Sequence, residues 1–390
     1  MLSPQSHPLI EATLPLVGER LPAIATGFYA RMFTAHPELF DGLFSRSNQK
    51  SGVQQQALAG SIAAFAAHLV KDPTSAPEIM LSRIAHKHVS LGILPEQYDV
   101  VYTYLFESIA AELSDVITAE IADAWTEVYW LMAHALIKQE RGLYAAAASD
   151  KPLAPWTVTH REPAGSDAVT FTLVPSDDTP ASASRPGQYV GVTVRMPDGI
   201  RQVRQYSLSA GTGTTTRVFT VKLDNDGEVS PVLHRDVQVG DQLTLSNPCG
   251  DITLSTGNGP LVLASAGIGC TPLASILRSL VETGSDRKVL VLHAESTIER
   301  WALREQMRAD VAILETAELE LWLEAPSALD TAHDGFMSLD SVTIPDDASV
   351  YLCGPLPFMR AMRAQALASG VPAARIHYEV FGPDLWLASA

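Results

Sequence analysis

Leu261-Val262-Leu263 runs into Gly267-Ile268-Gly269-Cys270-Thr271-Pro272, and Leu273-Ala274-Ser275-Ile276-Leu277 carries on as a helix. The reading of this stretch decides the fold of the C-terminal part. A strand, a glycine turn and a helix in that order expose the first amides of the helix, where its dipole favours an anion. The glycines let a phosphate approach the backbone, and Pro272 suits a first helical turn. The spacing departs from the common G-x-G-x-x-G fingerprint, so a glycine turn without a ligand stands beside the nucleotide reading; the nucleotide is favoured.

Working downstream, Val289-Leu290-Val291-Leu292 and Val350-Tyr351-Leu352 read as further buried strands, with a helix at 357–368. Strands alternating with helices predict a doubly wound parallel sheet over 257–390. Cys353-Gly354-Pro355 follows a strand and so falls at the carboxyl edge of that sheet, where ligands bind. With no histidine or cation evident nearby, Cys353 suits a contact near a nicotinamide better than a nucleophile. Phe381-Gly382-Pro383 puts an aromatic and a tight turn near the C-terminus. Glu379 just before it is either a carboxylate near a flavin or a surface strand residue.

Upstream, Val169, Phe171 and Leu173 alternate with threonines, and Val190/Val192/Val194 and Phe219/Val221/Leu223 repeat the pattern. Turn signals separate them at Pro175–Asp178, Pro197–Gly199 and Asp224–Gly227. Short strands without a long helix predict a small antiparallel β-barrel over 152–256. Within it, Arg204-Gln205-Tyr206-Ser207 offers a cation, an aromatic face and a hydroxyl donor from one strand, with Arg204 and Tyr206 on the same face. Alone, such a string fits any edge strand; upstream of a nucleotide fold it suits a flavin. Tyr189 covers another part of that flavin or is a core aromatic. Gly227-Glu228-Val229-Ser230 presents amides to a phosphate or forms a plain hairpin turn.

Residues 1–147 read as helix. Leu58/Ile62/Phe65/Leu69, Val101/Leu105/Ile109 and Ile121/Trp125/Val128/Met132/Ala135 form apolar stripes. Ala145 to Pro152 ends the last helix and reads as a linker. His88 shares a face with Leu81, Ile84 and Leu91, whereas His86 falls with Ser82, Arg83 and Ser90, so only His88 of the pair is expected to face a pocket. A lone histidine on an apolar face is usually a satisfied core residue. Gln54, at i−4 of the first stripe, and Tyr29, between Phe28 and Met32-Phe33, add buried polar groups that need partners. A ligand on an iron facing His88 would serve. Phe44 suits packing against a porphyrin, and Tyr98 and Glu140 are candidates to orient the histidine and raise its basicity.

Composition bounds the rest. The chain has 390 residues, 46% hydrophobic and 18% charged, enough for two to three domains with cores of their own. Twenty-seven basic residues against 44 acidic ones give a formal charge of −17, which disfavours nucleic acid and anionic membranes as partners. No apolar run reaches membrane-spanning length, and the first residues lack the basic patch and apolar run expected of a signal peptide. Three scattered cysteines make no disulfide framework, so the cytoplasm is the expected compartment.

Taken whole, the chain resembles bacterial flavohaemoglobins, also called nitric oxide dioxygenases. Phe28-Tyr29-Ala30-Arg31-Met32-Phe33 is similar to that family's distal tyrosine segment. Ser47-Asn48-Gln49 and Gln54-Gln55-Gln56-Ala57-Leu58 are similar to the next stretch, which makes Gln54 and Leu58 distal-pocket residues. Lys87-His88 with Leu94-Pro95-Glu96-Gln97-Tyr98 resembles the proximal segment, with Tyr98 and Glu140 as the proximal pair. Lys87 and Glu379 match positions credited with tuning the haem and flavin potentials. Arg204 to Ser207 and Gly267 to Pro272 match the flavin and nicotinamide loops. Cys270, Val380 and Leu223 depart from the family's usual glutamine, cysteine and arginine.

The resemblance implies a globin domain over 1–147, an FAD-binding barrel over 152–256 and an NAD(P)H-binding domain over 257–390. His88 is then the proximal ligand of haem b, with Phe44, Leu58 and Lys87 around the haem. FAD would meet Tyr189, Arg204, Gln205, Tyr206, Ser207, Gly227, Val229, Ser230, Glu379, Val380, Phe381, Gly382 and Pro383. NADH or NADPH would meet Gly267, Ile268, Gly269, Cys270, Thr271, Pro272, Cys353, Gly354 and Pro355. Tyr29, Gln54, Tyr98 and Glu140 carry the catalysis by which NAD(P)H, through FAD and haem, turns oxygen and nitric oxide into nitrate. A monomer is expected, and a lipid ligand is allowed for. Two other readings use the same cofactors: a lipid or alkyl hydroperoxide, ferric or dye reductase, and an oxygen carrier or sensor.

Overall fold

A computed structural model describes residues 1–210, 213–325 and 331–382. These residues divide into two compact units. The first takes in residues 1–152, 195–203 and 382; the second takes in 153–194 and 204–381, less the undescribed residues.

The first unit is helical. Its helices are α1 (Ser6–Ala35), α2 (Arg46–Lys50), α3 (Val53–Lys71), α4 (Glu78–Leu91), α5 (Gln97–Glu112) and α6 (Ala119–Ala145). Ile24, Phe28 and Met32 recur every fourth residue of α1 and are 0–1% exposed, the pattern of a helix stripe turned to a core. Phe65 and Leu69 of α3, Leu105 and Ile109 of α5, and Trp125 and Val128 of α6 close that core, as three apolar stripes in the sequence require. Two helix ends position the polar residues of this unit. Gly92, in the left-handed region at φ 77°, stops α4 four residues after His88. Thr118 caps α6 by accepting from Ile121 N–H, which sets the register that carries Glu140 inward. Residues 195–203 join this unit through polar contacts. The Arg201 guanidinium donates to both carboxylate oxygens of Asp41 at 2.9 and 3.1 Å, and Arg46 pairs with Asp198.

The second unit has two layers of architecture. Strands β1 (Leu153–Pro163), β2 (Ala168–Pro175), β3 (Tyr189–Arg195), β4 (Arg201–Ala210), β5 (Arg217–Lys222) and β6 (Gln242–Ser246) close a barrel in the order β1-β2-β5-β4-β3-β6. Closure removes the sheet edges that would otherwise invite pairing. A short helix, α7 (Val229–Arg235), crosses between β5 and β6. The residues read as an amide-bearing loop or a hairpin turn thus lead into a helix. Leu223 lies one residue past β5 rather than inside it.

A six-stranded sheet follows: β7 (Leu261–Ala266), β8 (Val289–Glu295), β9 (Ala317–Leu323), β10 (His333–Asp334), β11 (Ser349–Cys353) and β12 (Ile376–Glu379), in the order β10-β9-β8-β7-β11-β12 with every pairing parallel. Helices α8 (Cys270–Glu282), α9 (Arg304–Ile313) and α10 (Leu356–Ala368) connect the strands. The central strand β7 is buried along Leu261–Ala264, as a parallel strand covered on both faces must be. Among the described residues no helix is long and apolar enough to cross a membrane.

Candidate functional site

In the helical unit, His88 Nδ1 lies 2.7 Å from Glu140 Oε1 and 3.0 Å from the Tyr98 hydroxyl, and that hydroxyl donates to Glu140 Oε1 at 2.5 Å. Glu140 is 2% exposed. A buried carboxylate accepts from both neighbours, so the imidazole proton is assigned to Nδ1. Nε2 then keeps its lone pair, as a metal ligand must. Burial raises the Tyr98 hydroxyl's pKa well above the ordinary phenol value, and the Glu140 charge raises it further. Tyr98 therefore stays a proton donor. Tyr129, which the sequence reading passed over, fixes it by donating to the Tyr98 carbonyl at 2.6 Å.

His86 corrects one expectation. The helical-wheel argument gave only His88 an inward face, yet His86 is 8% exposed and Ser90 0%. Helix α4 is enclosed on more than one side, so facing inward does not separate the two histidines. The pairing of His88 Nδ1 with Glu140 and Tyr98 does.

Tyr29 is 5% exposed and hydrogen-bonded to Gln54. Burial raises its pKa above the phenol range, against a lowering from Gln54, so it too keeps its proton. Its ring stands 4.6 Å from Phe28, 5.7 Å from Phe33 and 6.0 Å from Phe44. Phe44 and Leu58 pack at the margin of the core, half-buried. Lys87 donates to the carbonyl of Gly382 within the same unit. These residues fit a haem: one imidazole with a free lone pair, and apolar side chains left partly uncovered at the core's margin. Two buried proton donors complete the set. The His88 side chain keeps 29% exposure inside this apolar unit.

In the second unit, the glycine loop meets the Cys353–Pro355 loop. A Cβ at Gly269 would stand 2.3 Å from the Cys353 carbonyl oxygen, and one at Gly354 would stand 2.9 Å from Phe358 and 3.1 Å from Ala266. Only glycines allow this approach. Gly267 has φ +55°, and Ile268 O accepts from the Thr271 hydroxyl at 3.0 Å. Pro272 is the third residue of α8, inside its first turn. Cys270 and Cys353 are fully buried; desolvation pushes the Cys270 thiol up to about 12 and the Cys353 thiol well above its ordinary value. Neither is an activated nucleophile.

Lys222, absent from the sequence-level candidates, ends β5 with its ammonium beside Gly267. It lies 3.8 Å from Asp167. A cation beside a glycine loop that opens a helix is what a pyrophosphate needs. A strand-terminal lysine gives no sequence signal of this, because the closeness arises only when the barrel packs on the sheet.

Glu379 pairs in register with Cys353 and is 8% exposed. Its charge acts on Cys353 and on Tyr189. Tyr206 is half-buried, backed by Phe219 at 5.4 Å and 15°, which leaves one ring face to receive another flat system. Arg204 and Gln205 are half-buried beside it. Ser207 is 4% exposed, and its hydroxyl is buried without a partner. An orphaned donor of this kind, next to an aromatic face, fits a flavin ring. Tyr189 is 4% exposed, with its ring 3.1 Å from a Cβ built at Gly250. Gly227 precedes α7, whose first residues Val229 and Ser230 are buried; the Ser230 hydroxyl donates to Asp224 O at 3.2 Å. Val380 is half-buried, Phe381 is 44% exposed and Gly382 has φ +88°. Pro383 lies outside the described residues.

A helical unit fitted for haem, joined in one chain to a barrel and a parallel sheet fitted for a flavin and a nicotinamide nucleotide, defines an oxidoreductase of the haem-and-flavin class. Residues 26–136 match the globin family and residues 263–364 the oxidoreductase NAD-binding domain. The chain is 40% identical to a flavohemoprotein of Bordetella pertussis, covering 98% of this chain and 99% of that one. It is 36% identical to a flavohemoprotein of Rhizobium meliloti, covering 99% and 100%. A crystal structure of a flavohemoglobin from Malassezia yamatoensis with bound FAD and heme superposes with a TM-score of 0.93 at 41% identity, over 98% of this chain and all of that one. The FAD/NAD-binding domain of a nitric oxide dioxygenase from Vibrio cholerae matches 59% of this chain and 99% of its own length, at 34% identity and a TM-score of 0.56. The chain belongs to the flavohemoprotein family.

Proposed function

We propose that this oxidoreductase is a nitric oxide dioxygenase, with haem b held by residues 1–147, FAD by 152–256 and NADH or NADPH by 257–390. The Vibrio cholerae relative supports the reading through its stated activity, and the Malassezia yamatoensis relative supports the cofactors through its bound FAD and heme. When bound, the haem supplies the iron on which oxygen and nitric oxide combine to nitrate, and the flavin splits the hydride's two electrons for that iron.

The chain's own residues do the rest. The glycine loop, the α8 start and Lys222 hold the pyrophosphate. Cys353, Gly354 and Pro355 seat the nicotinamide against the flavin. Tyr206, Ser207 and Arg204 hold the flavin, whose hydroxyl partner is the Ser207 donor. Glu379, Val380 and Phe381 close that site. On the helical side, Glu140 and Tyr98 fix the His88 tautomer and give its ring anionic character. Tyr29, kept protonated by burial, donates to the distal ligand, with Gln54 orienting its hydroxyl.

The observation that carries the reading is the Glu140–Tyr98–His88 arrangement in one unit with the Tyr29–Gln54 pair. A passive oxygen carrier needs no buried carboxylate pushing charge onto its histidine. The test compares nitric oxide consumption under air with alkyl hydroperoxide turnover, in the native chain and in Tyr29→Phe. Nitric oxide consumption is expected to dominate and to fall about ten-fold or more in the variant. Dominant hydroperoxide turnover would refute the assignment.

A further inference from the structure

We infer that Gln202 is a positioning residue for the distal pocket: its carboxamide sets how firmly Tyr29 holds a gas ligand on the haem. The inference rests on the reading that Tyr29 donates to the distal ligand, and it deepens that reading by naming what keeps Tyr29 in place.

Gln202 is the second residue of β4, in the stretch 195–203 that belongs to the helical unit. It is 1% exposed. A carboxamide buried to that degree must find partners for both its nitrogen and its oxygen. Its Nε2 donates to the carbonyls of Phe40 at 3.2 Å, Phe44 at 3.4 Å and Arg201 at 3.1 Å. Its Oε1 accepts from Arg46 N–H at 3.2 Å. One side chain thus gathers backbone groups from both ends of the segment 40–46.

That segment needs the hold. It runs from the one-turn helix Pro37–Phe40 to the start of α2, and residues 41–45 lie in neither helix nor strand. Gly42 turns it at φ +91°. Arg201 adds to the clamp: its carbonyl accepts from Gly42 N–H at 2.9 Å, and its own N–H donates to the Asp41 carboxylate at 2.8 Å.

The clamp carries two aromatic rings. Phe40 stacks on Phe33 at 3.9 Å and 28°, and Phe44 meets Phe33 edge-on at 5.2 Å and 79°. Phe33 and Phe44 both pack on Tyr29, at 5.7 and 6.0 Å. A phenol aims its proton at a ligand only while its ring is held in one rotamer. Gln54 orients the Tyr29 hydroxyl, Phe33 and Phe44 hold the ring, and Gln202 holds the segment that bears Phe44. Gln202 and Phe44 stand 158 positions apart in the chain. Because Gln202 acts through Tyr29, its influence on a ligand must vanish when the Tyr29 hydroxyl is removed.

Two readouts on the reduced full-length protein test this without nitric oxide: the oxygen release rate by stopped flow, and the C–O stretching frequency of the carbon monoxide complex. Gln202→Met keeps most of the side chain's bulk and deletes its carboxamide. It is expected to speed oxygen release about five-fold or more, the worth of roughly one hydrogen bond, and to shift the C–O stretch. In a Tyr29→Phe background the same substitution should move neither readout. Asp198→Asn breaks the exposed pair with Arg46 but keeps the acceptor for Ile200 N–H, and should match the native protein in both. Should Gln202→Met fail to fold, Asp41→Ala decides in its place. It loosens the same segment at an exposed position and should speed release about two-fold, again only where Tyr29 is present. Native release in the deciding variant, or an acceleration of equal size in the Tyr29→Phe background, would overturn the inference. Fast release in Tyr29→Phe beside native release in Gln202→Met would leave the distal role of Tyr29 standing; native release in Tyr29→Phe itself would sink that role.

Discussion

An alanine at position 269 puts its Cβ 2.3 Å from the Cys353 carbonyl oxygen, 2.5 Å from the carbonyl carbon and 2.7 Å from Gly354 N. All three are backbone atoms, so no flexible side chain can swing away. The oxygen contact alone is about 1 Å short of ordinary van der Waals distance. The β7–α8 loop and the Cys353–Pro355 loop must separate by that amount, or one strand end must tilt. Both loops are proposed to hold the same dinucleotide, one at its pyrophosphate and one at its nicotinamide. A displacement of about 1 Å at a reacting centre costs on the order of a hundred-fold in rate. Overpacking strain of about 1–3 kcal/mol is expected in the sheet unit as well. The assay is stopped-flow bleaching of the flavin by NADH without oxygen, over a range of NADH concentrations. Gly269→Ala should lose about a hundred-fold in kcat/KM, with the haem bands of the helical unit intact. Gly18→Ala, whose Cβ would meet nothing within 4 Å, should match the native protein. Gly269→Ala kinetics within two-fold of native would mean that the two loops do not share a ligand, and the dinucleotide site would have to lie elsewhere.

His88→Ala should yield protein that keeps its flavin absorbance and dye reductase activity but loses its haem bands; full haem content in the variant would transfer the ligand role to another residue. Glu140→Gln should lower nitric oxide turnover by about ten-fold or more and shift the iron–histidine stretching frequency; an unmoved frequency would show that Glu140 has no hold on the ligand. His293 is 0% exposed, with Nδ1 2.9 Å from the Ser265 hydroxyl, and burial followed by the Lys222 charge lowers its pKa to about 3 from 6.5. Neutral when folded, it takes up a proton when unfolded below about pH 6.5. Its contribution is therefore complete above that pH and is lost as pH falls, by about 2 kcal/mol at pH 5. His293→Gln should remove that part of the acid loss between pH 7 and pH 5, as denaturant midpoints would show; an acid loss equal to the native one would rule out a neutral buried His293.

Much of this architecture could be read from residue order because each part has its own period. The alternation around Phe171 and Phe219 announced the barrel, and the glycine pair after Leu261–Leu263 announced the parallel sheet. Other parts left no such trace. In β9, glutamates at 318 and 320 break up the apolar run expected of a buried strand. β10 is two residues long and α7 seven, both below the length at which a period shows. The proximal arrangement joins His88, Tyr98 and Glu140 across 52 positions, and no local pattern predicts a contact at that separation. The helix face singled out His88, and resemblance to a family paired Tyr98 with Glu140; the structure supplied their distances. His86 shows the limit of wheel arguments, since a helix enclosed on several sides buries residues its own pattern marks as outward. Lys222 became a candidate only when the end of β5 was set beside the glycine loop.

The central claim is that electrons from the nicotinamide leave through the haem held by His88 and are spent on oxygen and nitric oxide. Measuring NADH oxidised, nitric oxide consumed and nitrate formed in one vessel under air tests it most directly. Electron balance predicts nitrate equal to the nitric oxide consumed and half as much NADH oxidised. NADH oxidation with no nitrate, or nitrous oxide as the main product under air, would contradict it.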